Sequence, residues 1–129
     1  MSKIPDDLSY TEEHEYVHQT GKPGIVAVGI TDYAQGELGD VVYVDLPKPG
    51  ATFARMEPFG TIEAVKAVSE LYCPVAGEVV EVNTAIESDP AVINKDPYGA
   101  GWMIRLKVAN AAELGELLGP ADYAAHIGQ

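Results

Sequence analysis

Hydrophobic residues in this chain come in short runs, several alternating with polar ones, and Gly and Pro punctuate the gaps. Such a period predicts strands and tight turns, with only short helices between them. Residues 15–19 read as a first strand, Gly21-Lys22-Pro23-Gly24 as a turn, and 25–30 as its buried antiparallel partner. Thr31-Asp32 offers an N-cap for one or two helical turns over 33–38, ended by Gly39. Strands follow at 40–46, weakly at 51–54, from Phe59 into a hairpin, and at 78–82. The stretch 83–101 is rich in Asn, Ser, Asp and Pro and is expected to be loop, and 102–108 reads as the last strand. Asn110 with Glu113 resembles a capping box opening an amphipathic helix in which Leu114, Leu117 and Leu118 share a face. Gly119-Pro120 breaks it and starts a further turn near 123–127, so helix is expected near 110–127.

One strand is written twice. Gly39-Asp40-Val41-Val42-Tyr43-Val44-Asp45 recurs as Gly77-Glu78-Val79-Val80-Glu81-Val82-Asn83. Neither copy can bury its apolar face alone, so the repeat predicts two similar small antiparallel sheets packed face to face. The expected fold is mainly β with a small α contribution, in one domain over residues 1–129, and the hairpin between the two copies lies at one end.

Eight basic and twenty acidic side chains give a net charge of -12. Such a surface repels nucleic acid and anionic membranes and is drawn to basic faces of partner proteins. No apolar run approaches membrane-spanning length. The single Cys73 cannot form an internal disulfide, and the N-terminus has neither signal-peptide nor transit-peptide character. A bacterial cytoplasm is therefore expected, or else a mitochondrial protein whose leader has been removed. His14-Glu15-Tyr16-Val17-His18 matches the zinc-protease pattern H-E-x-x-H. That chemistry needs a helix, whereas a strand holds the two His roughly 13 Å apart; no metal site is expected.

Lys66 is the only Lys or Arg between Arg55 and Lys95. β-type residues flank it on both sides, which predicts an amine at the tip of a hairpin. A lysine that acts as base or nucleophile needs burial or a nearby cation, and this one has Glu63 and Glu70 close in sequence. Modification suits it better. Ala64 and Ala67 leave the ammonium open to a ligase, and acylation would turn it into a long arm with a fixed origin.

Residues 59–83 resemble the attachment hairpin of biotinyl and lipoyl carrier domains. The whole chain is similar to the H protein family of the glycine cleavage system. The matching blocks include Gly29-Ile30-Thr31-Asp32-Tyr33-Ala34-Gln35, Leu38-Gly39-Asp40-Val41-Val42, Glu63-Ala64-Val65-Lys66-Ala67, Pro74-Val75-Ala76-Gly77-Glu78-Val79 and 94–102. The resemblance implies a barrel-sandwich hybrid fold and lipoate in amide linkage on Lys66. It implies a non-catalytic, monomeric shuttle that takes the aminomethyl group of glycine from a pyridoxal-phosphate decarboxylase (the P protein) to a tetrahydrofolate aminomethyltransferase (the T protein). Dihydrolipoamide dehydrogenase (the L protein) then reoxidises the arm. A lipoate ligase or a lipoyl/octanoyl transferase is the implied modifying enzyme, with Glu63, Gly50 and Gly77 matching positions tied to its recognition. Glu15 is implied to line the cleft that shelters the charged arm.

Two other carrier roles use the same hairpin: an H-like protein relaying lipoyl groups to other enzymes, and a biotinyl carrier. The latter usually holds its lysine between two methionines, where this chain has Val65 and Ala67. The chain also departs from the H protein pattern at Ala64 (commonly Ser), Tyr16 (commonly Trp) and Glu37 (His in some members).

Overall fold

The computed structural model describes residues 2–129. In chain order the elements are β1 (Ser9–Tyr10), β2 (Glu15–Gln19), β3 (Ile25–Ile30), α1 (Asp32–Leu38), β4 (Val41–Asp45), β5 (Thr52–Phe53), β6 (Pro58–Ala64), β7 (Val68–Tyr72), β8 (Gly77–Val82), α2 (Ala85–Ser88), α3 (Ala91–Lys95), β9 (Ile104–Val108) and α4 (Pro120–His126), with a 3-10 helix over Ala111–Glu116 before α4. The strands form a six-stranded sheet in the order β1-β2-β3-β9-β8-β5 and a three-stranded sheet in the order β4-β6-β7. Every pairing is antiparallel.

The two copies of the repeated strand fall in different sheets: β4 in the smaller, β8 in the larger. Each slips register at the matching residue, between Val41 and Tyr43 in β4 and between Val79 and Glu81 in β8. The extra residue of a bulge loses its place in the pleat, so Val42 and Val80 both face solvent. The halves are alike in that strand and unequal in size, because the larger sheet also takes in β1, β2, β3 and β9.

Between the sheets, Val17, Val28, Val79 and Leu106 from the larger meet Val44, Ile62 and Leu71 from the smaller. Each of these, fully buried, stabilises the fold by about 1.5–3 kcal/mol. A second cluster of Leu8, Tyr10, Tyr16 and Tyr123 joins the first residues of the chain to the last helix. There the Tyr10 and Tyr123 rings stack 4.7 Å apart. Tyr16 lies directly over Gly29 and its hydroxyl donates to the Pro97 carbonyl at 2.6 Å.

The structure corrects two sequence expectations. Residues 83–101 are not all loop, since α2 and α3 stand there and bury Ile86 and Ile93. Helices of four and five residues are too short to show a 3.6-residue period. The region 110–127 is not one helix interrupted late. Its first part is 3-10, Leu117 is already extended, and Leu118 pairs with Tyr10 through two 2.8 Å backbone bonds. The three leucines therefore do not share a helical face. Asn110 does cap, accepting from the Ala112 N–H, but the Glu113 carboxylate is taken by the Ala76 N–H at 2.8 Å. The Thr31 cap on α1 and the Gly39 stop, with φ at 79°, stand where the sequence puts them.

Candidate functional site

β6 and β7 pair from Pro58↔Tyr72 to Glu63↔Val68, and the Ala64 N–H donates to the Ala67 carbonyl at 2.9 Å, leaving Val65 and Lys66 at the tip. The tip rests on the segment that leaves α1. The Lys66 N–H donates to the Leu38 carbonyl and the Val65 N–H to the Asp40 carbonyl, both at 3.0 Å. The lysine stem crosses Gly39 so closely that a Cβ there would lie 3.2 Å from Lys66 Cγ. Lys66 Nζ donates to the Gly36 carbonyl at 3.4 Å, in the last turn of α1, where unpaired carbonyls favour a cation.

That contact revises one sequence expectation. The ion pairs among the described residues are Arg55–Glu116 and Arg105–Glu81, and neither involves Lys66. Glu63 and Glu70 are near Lys66 in sequence, yet its charge is met by a helix carbonyl. Glu63 sits in an exposed row across the smaller sheet, opposite Tyr43 on one side and Val68 on the other. Among the described residues, the most exposed large apolar side chains gather here: Val65 at 72%, Val68 at 68%, Val42 at 61% and Tyr43 at 51%.

The same turn of α1 borders a cleft of about 300 Å³. Its walls are Ile30, Ala34, Leu38, Ile62 and Leu71, and its rim carries Glu13, His14, Tyr33, Glu37, Ser69 and Glu70. Glu15 lies within it, only 1% exposed. One carboxyl oxygen accepts from the Thr11 hydroxyl at 2.7 Å and the other from the Tyr72 N–H at 3.4 Å. No Lys or Arg lines the cleft. Burial pushes the Glu15 carboxyl up to about 8, against the two hydrogen bonds, with the Glu13 charge adding to the rise. Beside it, His14 adopts a positive φ of 75° and its Nδ1 meets the Tyr123 hydroxyl at 2.9 Å. Burial, and then His126, hold the His14 imidazolium below its usual range. His14 precedes β2 and His18 is inside it, so the H-E-x-x-H pattern has no helix. No cluster of three or more metal-ligating side chains forms among the described residues.

The residues present fit a lipoyl group on Lys66. The amine is exposed, its backbone is pinned, and the arm would start beside a cleft whose walls suit an eight-carbon chain. Cavities from about 300 Å³ upward are the size that holds small ligands. The buried carboxyl at the cleft's interior has no cation of its own, which suits a guest that brings one. Cys73 is a poor partner for a disulfide arm: it is buried, its Sγ donates to the Val75 carbonyl at 3.1 Å, and burial pushes its thiol up to about 12.

Gly50 and Gly77 lie away from the tip, each with a backbone reason for being glycine. Gly50 has a φ of 95° and its N–H donates to the Val79 carbonyl at 2.7 Å. Gly77 lies where β8 passes β9, and a Cβ there would strike the Lys107 carbonyl and Leu106. Gly77→Ala is expected to cost about 2 kcal/mol, as over-packing does in tight sites. Urea unfolding of the unmodified protein checks this, and an unchanged midpoint would point to a role other than close strand packing.

The sequence by itself points to Lys66, Glu63 and Glu15 and marks Glu37 only as a departure from the family pattern; it gives no role to Thr11 or Tyr33. Glu15 from β2 and Tyr33 and Glu37 from α1 line one cleft, and Thr11 reaches Glu15 from the turn before β2.

Residues 8–129 match the family described as Glycine cleavage H-protein. The chain is similar to the glycine cleavage system H protein of Symbiobacterium thermophilum, 53% identical over 123 residues covering 95% of this chain and 94% of that one. It is similar to the protein of the same name from Bacteroides fragilis, 54% identical over 124 residues covering 96% and 97%. The crystal structure of a glycine cleavage system H protein from Mycobacterium marinum matches the fold with a TM-score of 0.89 at 44% identity, over 98% of this chain and 100% of that chain. The sequence match and the matching fold extend across both sheets, the Lys66 hairpin and the cleft, and the chain belongs to the glycine cleavage H-protein family.

Proposed function

We propose that this chain is the lipoyl-carrying shuttle of a glycine cleavage system, with lipoate in amide linkage on Lys66 Nζ. One observation carries the reading: a single exposed amine stands on a pinned turn beside an apolar cleft that buries a carboxyl without a basic partner. When bound, lipoate supplies the disulfide that takes up the aminomethyl group of glycine at the P protein, passes it on at the T protein and is reoxidised by dihydrolipoamide dehydrogenase.

The chain's own residues bind, orient and shelter. The Leu38–Asp40 carbonyls set where the arm begins. Glu63 and the exposed Val65, Val68 and Tyr43 form the face offered to a lipoate ligase or a lipoyl/octanoyl transferase, and Gly50 and Gly77 contribute by shaping the strands and turn behind it. Glu15 receives the cationic end of the loaded arm. The bond chemistry belongs to the partners, so the chain is a non-catalytic carrier, working as one monomeric domain in the cytoplasm. Its charge of -12 favours basic faces on those partners over nucleic acid or anionic membrane. No helix among the described residues is long and apolar enough to cross a membrane.

Intact-mass measurement of protein from its native host tests the reading. A lipoyl increment on the peptide containing Lys66 is the expected result; a biotin increment reverses the cofactor, and no increment favours an unmodified scaffold. Purified lipoylated protein is expected to stimulate glycine-carboxyl exchange by the P protein. Failure there, with lipoate in place, would move the assignment to a lipoyl relay.

A further inference from the structure

We propose that Asn94 is a positioning residue for acylation of Lys66, acting through the Gly39 backbone that separates the two. The inference rests on the reading of Lys66 as the acceptor. α3 projects the Asn94 side chain against the end of α1 and the start of β4, and every polar atom of that side chain is used. Nδ2 donates to the Gly39 carbonyl at 2.9 Å and to Gln35 Oε1 at 3.0 Å. Oδ1 accepts from the Val41 N–H at 2.9 Å.

The segment between α1 and β4 divides its polar groups between two neighbours. The Leu38 and Asp40 carbonyls receive the N–H groups of Lys66 and Val65. The groups that alternate with them, the Gly39 carbonyl and the Val41 N–H, go to Asn94. The segment is one residue thick, and Gly39 offers no side chain to brace it. With a φ of 79° it also occupies backbone space that other residues rarely enter. Without Asn94 the Gly39 carbonyl and the Val41 N–H lose their partners, and the platform under the acceptor turn loses its brace from α3, keeping the Gly39 N–H bond to the Gln35 carbonyl. A modifying enzyme must find the amine at one place and angle, and an acceptor turn that wanders spends less time in reach.

Asn83 provides a control. It is a buried amide whose Nδ2 donates to the Ala100 and Trp102 carbonyls, in the loop that leads into β9. Asn94→Ala, Asn94→Asp and Asn83→Ala, made in the unlipoylated protein, are compared by two measurements. The first is amide hydrogen exchange of Val65 and Lys66 followed by NMR. The second is the rate of lipoyl transfer to Lys66 by a lipoate ligase supplied with lipoate and ATP.

Asn94→Ala is expected to speed exchange at Val65 and Lys66 by about tenfold relative to the β3 and β9 amides, the scale of one or two net hydrogen bonds lost. It is expected to lower kcat/KM for transfer by about the same factor, whereas Asn83→Ala leaves both unchanged after correction for its own stability loss. Asn94→Asp keeps the acceptor for Val41, loses the donors to Gly39 and Gln35, and carries the test if Asn94→Ala does not fold. The proposal is overturned if exchange at the tip rises no more than elsewhere, or if Asn83→Ala slows transfer equally. If the unaltered protein takes no lipoyl group, the acceptor reading falls by itself, and the exchange measurement still decides whether Asn94 holds the turn.

Discussion

Lys66→Arg is expected to remove the lipoyl increment from the protein and reduce glycine-dependent one-carbon transfer to the background of a mixture lacking this component, while leaving the fold intact. The two halves of that expectation have separate physical grounds. The guanidinium keeps the positive charge and can still donate to the Gly36 carbonyl, so the turn loses little; exposed substitutions of this kind shift stability by no more than about 0.5 kcal/mol. Arg stays protonated at all working pH values and has no free amine lone pair to acylate. Thermal unfolding and intact mass, run on one preparation, check both halves. Acylation at another lysine in the Arg variant, or persistent transfer to tetrahydrofolate, would sink the assignment of Lys66 as the sole attachment point.

The second large effect is expected at Glu15. This carboxyl is buried without a cation, and burial moves it from an ordinary 4.5 up to about 8. Its sign follows from linkage. Between those two values the folded protein keeps the proton and the unfolded chain has lost it, so stability falls as pH rises through that window and levels off above it. The slope contributed by Glu15 approaches about 1.4 kcal/mol per pH unit. Glu15→Gln removes this contribution and retains an oxygen acceptor for the Thr11 hydroxyl. Glu13, His14, Glu37 and Glu70 border the same cleft in both proteins. The difference between the two stability curves from pH 4.5 to 8.5 therefore isolates Glu15, and parallel curves would mean that its carboxyl is not held protonated.

The same substitution reads out the cleft's role. A cationic arm that enters favours the carboxylate form of Glu15, whose proton leaves to water, and a charge-assisted contact then holds the arm. Such a bond is worth about 1.5–3 kcal/mol, or roughly a tenfold or greater change in occupancy. The aminomethyl-loaded Glu15→Gln protein is thus expected to lose its cargo to water at least several-fold faster than the unaltered protein. Equal lifetimes would show that the arm does not depend on this carboxyl.

Much of the molecule is local, and therefore readable in order along the chain. The continuous apolar run of β3, the alternation that opens β8, the Thr31 cap and the Gly39 stop each depend on residues within a few positions of one another. The repeated strand even carried its bulge, since Val42 and Val80 stand at the same point of the repeat. The hairpin with one lysine at its tip, and the blocks that resemble the H protein family, belong to the same class of information.

What the tertiary structure decided is electrostatic and long-range. Glu63 and Glu70 flank Lys66 in sequence, but strands alternate faces and the amine's partner is a carbonyl thirty residues earlier, at Gly36. Glu15 looks like any polar strand residue until Ile30, Ile62 and Leu71 close around it and remove its water. Asn94 lies in a stretch that reads as loop, and its part emerges only when α3 sets it behind Gly39. Backbone preference is set by near neighbours; desolvation and hydrogen-bond partnership are set by whichever segments arrive, and only the folded chain brings them together.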